Sequence, residues 1–287
     1  MRSPEDIKRV LDDVRASCDL AARRESDPVG IVHEHADLED REIVGLVAAL
    51  VAFGNVKTIR SKLRDLLARV GAHPAKAADD PKAVMKALRG WKHRVFLGED
   101  LARLMIGARV VQHADGSLGT GFARDLTETR DVQESLARFC DRIRDAGKLM
   151  DGAKTGRRGP AHLLPNPRGG SGSKRLLLYL RWMARPADGI DLGVWKDVDT
   201  ALLLCPVDTH ILKLARNIGF TKEKTMSWKT TRQITAGLAK LDASDPVKYD
   251  FSLCHLGMLQ RCPSRRDARK CEGCGVRPIC RHWPQPR

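Results

Sequence analysis

Four cysteines crowd the C-terminal end of the chain: Cys262, Cys271, Cys274 and Cys280, in the spacing C-x8-C-x2-C-x5-C. Four thiolates this close in sequence can converge on one soft metal centre, and zinc and iron–sulfur clusters both favour ligation by four cysteines. Left unliganded in a tail, the same thiols would be an oxidation liability. A zinc ribbon usually shows two CxxC knuckles, and this run has one, Cys271-Glu272-Gly273-Cys274. Cys18, Cys140, Cys205 and Cys254 lack ligand spacing and read as small core residues.

A second group of residues could do chemistry upstream. Lys174 follows the stretch Gly169-Gly170-Ser171-Gly172-Ser173 and opens the apolar-periodic segment KRLLLYLRWMAR. A lysine at a helix start can hold a phosphate. Desolvated or set beside other cations, as Arg175 is beside Lys174, a lysine can instead become a nucleophile. Asp208, in Pro206-Val207-Asp208-Thr209-His210-Ile211, stands where the next helix would begin. It reads as an N-cap, which holds a carboxylate rigidly at the positive helix end and keeps it ionised. A nucleotide-binding P-loop is excluded, because Ser173-Lys174-Arg175 lacks the Gly-Lys-Ser/Thr turn, the preceding strand and the metal-binding hydroxyl.

Helices must position these residues. Glu39–Leu50 carries Ile43, Leu46, Val47 and Leu50 on one stripe, and Thr58–Val70 repeats the pattern, with Gly54-Asn55 breaking the two into a hairpin. Asp100–Val111 and Val132–Ile143 are further amphipathic helices, and Asn217-Ile218-Gly219 ends another. No convincing strand pair is present. The Gly- and Pro-rich stretch Asp151–Gly172 reads as non-helical, long enough for a binding loop. Pro186–Cys205 reads as an additional helix or turn. Trp91, Trp182, Trp195 and Trp228 are core candidates, one of which could stack a base.

Charge narrows the partner. Lys plus Arg number 51 against 36 Asp plus Glu, a formal net charge of +15 over 287 residues. A surplus of that size points to a polyanion, nucleic acid first and an anionic membrane surface second. The basic residues cluster. Asp151–Arg185 holds eight against Asp151 alone, and Arg261–Arg287 holds eight against Asp267 and Glu272. No signal-peptide core or membrane-spanning run is present, so the expected compartment is the cytoplasm, at the nucleoid, where thiols stay reduced.

These motifs together resemble the helix-hairpin-helix DNA glycosylase superfamily. Val207-Asp208-Thr209-His210 is similar to that family's Val-Asp-Thr-His. The cysteine spacing resembles the C-x6-C-x2-C-x5-C of the endonuclease III group, with two extra residues in the loop Pro263–Lys270. The 34-residue step from Lys174 to Asp208 is closer to the archaeal oxidised-guanine glycosylases. The likeness spans about residues 39–283, strongest over 174–283. The phrases KRLLLYLRWMAR, PVDTHILKLARNIG and DPVKYDFSLCHLGMLQRC look like a bacterial branch catalogued as a domain of unknown function.

The resemblance implies an all-α, two-lobed fold with a C-terminal four-cysteine loop. Residues 36–185 would form a middle lobe with a DNA-binding hairpin. Residues 1–35 plus 186–287 would form the other lobe, with Lys174 and Asp208 facing each other across the cleft. It implies excision of a damaged base from double-stranded DNA, an oxidised purine being one candidate. Lys174 would be the Schiff-base nucleophile with AP-lyase activity, and Asp208 would support it. The cysteines would hold a structural four-iron four-sulfur cluster, with zinc as the alternative. DNA contacts are expected from Gly170, Gly172, Ser173, Arg175, Arg265, Arg266, Arg269 and Lys270. Asn55 would fill the gap left by an extruded base, unless it merely ends a helix. The expected state is a monomer with no membrane association. Rival readings are a non-catalytic or monofunctional DNA-binding protein of the same fold, and a zinc-stabilised RNA-binding protein. DNA affinity is expected to fall steeply with salt, and charge reversal at Arg265 and Arg266 to reduce both affinity and salt slope in a binding titration. Binding unmoved by either change contradicts a phosphate role for this loop.

Overall fold

The computed structural model describes residues 3–263 and 265–283, with the backbone alone for 153–155. The Lys154 side chain and Arg287, both counted in the basic runs, lie outside the described residues. The fold is mostly helical. In chain order the helices are α1 (Pro4–Ala16), α2 (Leu20–Ser26), α3 (Val29–Val32), α4 (Leu38–Val51), α5 (Val56–Val70), α6 (Pro74–Ala77), α7 (Pro81–Ala87) and α8 (Gly98–Asp115). There follow α9 (Leu118–Thr129), α10 (Val132–Ala146), α11 (Gly159–Leu163), α12 (Lys174–Ala184), α13 (Thr209–Ile218), α14 (Trp228–Ala239) and α15 (Asp250–Leu259). The strands β1 (Lys92–His93) and β2 (Phe96–Leu97) form a small antiparallel hairpin that the sequence did not announce. Among the described residues no helix is long and apolar enough to cross a membrane.

The chain divides into two compact units. One contains Met1–Asp19, Gly170–Leu177 and Thr200–Arg287; the other contains Leu20–Gly169 and Leu178–Asp199. These boundaries differ from the lobes expected at 36–185 and at 1–35 plus 186–287. Local bonding explains the difference. His33 Nε2 lies 2.8 Å from the Ile190 carbonyl and Arg24 donates to the Gly189 carbonyl at 3.0 Å, so the segments around 20–35 and 186–199 hold each other within the second unit. The glycine stretch joins the first unit instead. Gly172 N–H donates to the Met226 carbonyl at 3.0 Å, and Ser171 forms a bridge with Ser227. Lys174 and Asp208 therefore belong to the same unit, where a placement on opposite lobes was expected.

The second unit is built around α4. This helix buries eleven residues, more than one stripe, as a helix inside a domain does. Glu42 lies on it with no exposed surface. Burial pushes its carboxyl above the usual range. It is tolerated because it accepts from Gln112 Nε2 (2.8 Å), the Leu118 and Gly119 amides at the start of α9 (3.0 and 2.9 Å) and Trp195 Nε1 (2.7 Å). Gly45 gives Met183 and Tyr179 room to pack on α4, since a Cβ there would sit 2.7 Å from Met183 Cε. Trp91, Trp182, Trp195 and Trp228 are all buried.

One stretch differs from expectation. Asp151–Gly172 is not wholly irregular, because a 3-10 turn spans Leu149–Thr155 and α11 starts at Gly159-Pro160. Proline in a first helical turn initiates rather than breaks, since its missing N–H would have no partner there. The insert Pro186–Cys205 contains a single 3-10 turn, Thr200–Leu202. It carries Asp191 into the core to meet Arg181 (3.0 Å) and Arg185 (2.8 Å). These two arginines, counted in the basic run 151–185, are 2 % and 5 % exposed.

Candidate active site and cysteine hollow

Helix α13 begins because Asp208 caps it. Asp208 Oδ1 accepts from the amides of His210 and Ile211, both at 2.9 Å. The capping reading of Asp208 thus holds for one of its two oxygens. The other oxygen is committed elsewhere. Lys174 Nζ lies 3.8 Å from Asp208 Oδ2, with the two side chains 33 % and 18 % exposed. That separation is an ion-pair contact and too long for a hydrogen bond. An ion pair this exposed stabilises a fold by at most ~1 kcal/mol.

Lys174 reaches this place from the glycine stretch. A Cβ on Gly172 would lie 2.9 Å from Thr231 Oγ1 and 3.2 Å from the Ser227 carbonyl, so only glycine lets the loop lie against the start of α14. Ser173 then adopts a left-handed φ of 48° and its carbonyl accepts from Leu176 and Leu177, starting α12 at Lys174. The expected DNA contacts here are unevenly placed. Gly170 is exposed, whereas Gly172 and Ser173 are buried. The Gly172 amide is already bonded to Met226. Arg175 is half-buried, and burial pulls its guanidinium down to about 10.

Sequence reasoning missed Cys254, which it assigned to the core. The thiol of Cys254 donates to Asp208 Oδ2 at 3.3 Å. The close approach of α15 to α13 makes this possible. Gly257, one turn beyond Cys254, sits where a Cβ would be 2.9 Å from His210 Cβ.

The far end of α13 adjoins the cysteines. Gly219, at φ 107°, closes the helix, and a Cβ there would collide with the Arg281 guanidinium. Lys213 Nζ donates to the Cys262 carbonyl at 2.8 Å, Asn217 Nδ2 to Cys262 Sγ at 3.4 Å, and Arg281 N–H to the Asn217 carbonyl at 2.8 Å. Cys262, Cys271, Cys274 and Cys280 line one hollow of about 420 Å³, its mouth included, with Leu214, Leu256 and Val276 on its wall. Burial, and then the neighbouring Cys274 and Cys280, push the free Cys262 thiol up. His282 also lines the hollow, and its Nε2 is buried with no hydrogen-bond partner.

Tetrahedral zinc–thiolate bonds of 2.3 Å would set the sulfurs about 3.8 Å apart. Among the described residues the one trio of ligand atoms within 4.8 Å of one another is Asp37, Asp40 and His73, in the other unit. No three of the four thiols are that close, so they do not form a ready-made zinc site.

The basic loop is exposed at Arg265, Arg266, Arg269 and Lys270. Arg266 stacks on Trp283 at 4.1 Å, and Arg277 lies 4.2 Å from the same ring. The earlier basic run is less available. Besides Arg181 and Arg185, Arg168 is paired with Glu134 and Asp141, and Arg157 with Asp100. Asn55 is exposed, as a contact residue would be. It caps the start of α5 by accepting from Thr58 N–H at 3.2 Å, which replaces the helix-ending alternative.

A family profile described as a protein of unknown function (DUF2400) matches residues 27–259, and the chain belongs to that family. The match takes in Lys174, Asp208 and Cys254 and stops before Cys262. No curated protein and no solved structure matches the chain.

Proposed function

We propose that this protein is a DNA N-glycosylase with AP-lyase activity, of the helix-hairpin-helix plan, that removes a damaged base from duplex DNA. The observation that carries the reading is the Lys174–Asp208 pair, an amine and a carboxylate 3.8 Å apart at the starts of α12 and α13. Both side chains are partly open to solvent, so a substrate can reach them. The exposed basic loop beside the cysteines supports a polyanionic partner.

The chemistry follows from the pair. The damaged nucleotide leaves the stack so that its sugar carbon can be reached. Asp208 Oδ2 takes a proton from Lys174, and the freed amine attacks C1′. The N–C1′ bond forms as the glycosidic bond breaks, and its electron pair leaves with the base, which takes up a proton. Asp208 passes the lysine's proton to the departing base and, ionised again, faces the positive charge on the sugar. Ring opening places a proton on O4′ and gives the Schiff base. Loss of a C2′ proton then expels the 3′ phosphate and nicks the strand.

The four cysteines are proposed to hold a four-iron four-sulfur cluster. Supporting this are the hollow the four cysteines share and the single CxxC of their spacing, where a zinc ribbon usually has two. The cluster would be structural, fixing the loop between Cys262 and Cys271 against α13. Purified anaerobically, the protein is expected to be yellow-brown with about four iron and four sulfide per chain. Stoichiometric zinc without iron contradicts this.

Borohydride trapping on a panel of lesion-bearing duplexes, beginning with oxidised purines, tests the activity. Lys174→Gln is expected to abolish the trapped adduct and nicking while largely keeping DNA affinity, because one phosphate contact among several is a small share of binding. Asp208→Asn keeps an oxygen to cap α13 and is expected to slow base release, with a urea melt checking the fold. Trapping retained by Lys174→Gln would falsify the assignment of the nucleophile. Base release without trapping by the wild type would establish the monofunctional alternative. Neither product on any lesion or abasic site would leave a non-catalytic DNA-binding protein.

A further inference from the structure

We infer that Cys254 is a positioning residue, whose thiol holds the Oδ2 oxygen of Asp208 at the Lys174 amine. This rests on reading Lys174 and Asp208 as the reactive pair. The division of labour on Asp208 is the basis. Its Oδ1 is fixed by two amides of α13, which still leaves the carboxylate free to swing about the Oδ1 contacts. The Cys254 thiol, 3.3 Å from Oδ2, is a third anchor from a different helix. Three contacts on two oxygens fix the carboxylate plane, and Lys174 lies 3.8 Å from the oxygen so fixed.

The thiol can serve only as a donor here. Burial pushes Cys254 well above the usual thiol range, and the adjacent Asp208 and Asp250 carboxylates push it further, so the S–H proton is retained. A weak donor suits the task. It orients Oδ2 without satisfying it as fully as a hydroxyl or an amide would, and leaves that oxygen with acceptor capacity toward Lys174. The sequence supports the placement, because glycine at 257 brings this turn of α15 against the start of α13.

A core cysteine and a positioning cysteine respond oppositely to two substitutions. Cys254→Val keeps an apolar side chain but has no donor, and Cys254→Ser keeps the donor. If Cys254 positions Asp208, Cys254→Val lowers the single-turnover trapping rate about tenfold and Cys254→Ser stays within about threefold of wild type. The reverse ranking, with melts showing both variants folded, overturns the proposal. An infrared arm does not depend on activity. The S–H stretch assigned by subtracting the Cys254→Ser spectrum should lie below that of a free thiol, and should rise in Asp208→Asn, whose amide nitrogen would face the sulfur once its oxygen caps the helix. A band that does not move in Asp208→Asn overturns the contact. If the band moves but the wild type traps nothing, the thiol–carboxylate contact stands and the lyase reading is what fails.

Discussion

The carboxylate of Asp208 is the point on which the first unit turns. One oxygen starts α13 by accepting two amides, and the other meets a lysine and a thiol. The capping role and the proposed chemical role therefore fall to the two oxygens of one side chain. Capping holds one oxygen of the carboxylate at the helix start, and the Cys254 thiol from α15 meets the other. Helix α13 then carries the constraint about 15 Å onward, at 1.5 Å per residue over its ten residues. At its far end Lys213 and Asn217 take hold of Cys262, and Arg281 closes on Asn217. The Lys174–Asp208 pair and the cysteine hollow lie at the two ends of α13.

Charge is distributed less simply than the net +15 suggests. Arginines in the 151–185 run are largely engaged within the protein: Arg181 and Arg185 with the buried Asp191, Arg168 with Glu134 and Asp141, Arg157 with Asp100. A buried arginine paired with aspartate organises a core and offers nothing to a phosphate. The exposed cations of the cysteine loop carry more of the case for a polyanionic partner. There Arg266 and Arg277 are steadied by the Trp283 ring and keep their positions at the surface.

Much of this was legible in the sequence. The helices through 39–50, 58–70, 100–111 and 132–143 have strong 3.6-residue periods, and each lies within an observed helix. The glycine after Ile218 ends α13 as read, and Asp208 begins it. The contact between Lys174 and Asp208 follows the motif order. What could not be read was tertiary. Cys254 lies within one of the quoted phrases but has no ligand or catalytic spacing, and its contact with Asp208 depends on α15 packing against α13 through Gly257. The burial of Arg181 and Arg185 depends on Asp191, which lies in a stretch without periodicity. The Gly172 amide looked free to bind a ligand because nothing in the local sequence announces Met226 as its partner. The boundary between the units was displaced for the same reason, by hydrogen bonds between segments more than 150 residues apart.

The central claim is that Lys174, set against Asp208, is the amine that bonds to the sugar. Tandem mass spectrometry of the borohydride-reduced protein–DNA adduct, after nuclease and protease digestion, tests it most directly. The account predicts the reduced deoxyribose remnant on Lys174, within a peptide that protease fails to cut at that residue. A remnant on any other amine, such as Lys213, Lys229 or the N-terminus, contradicts it.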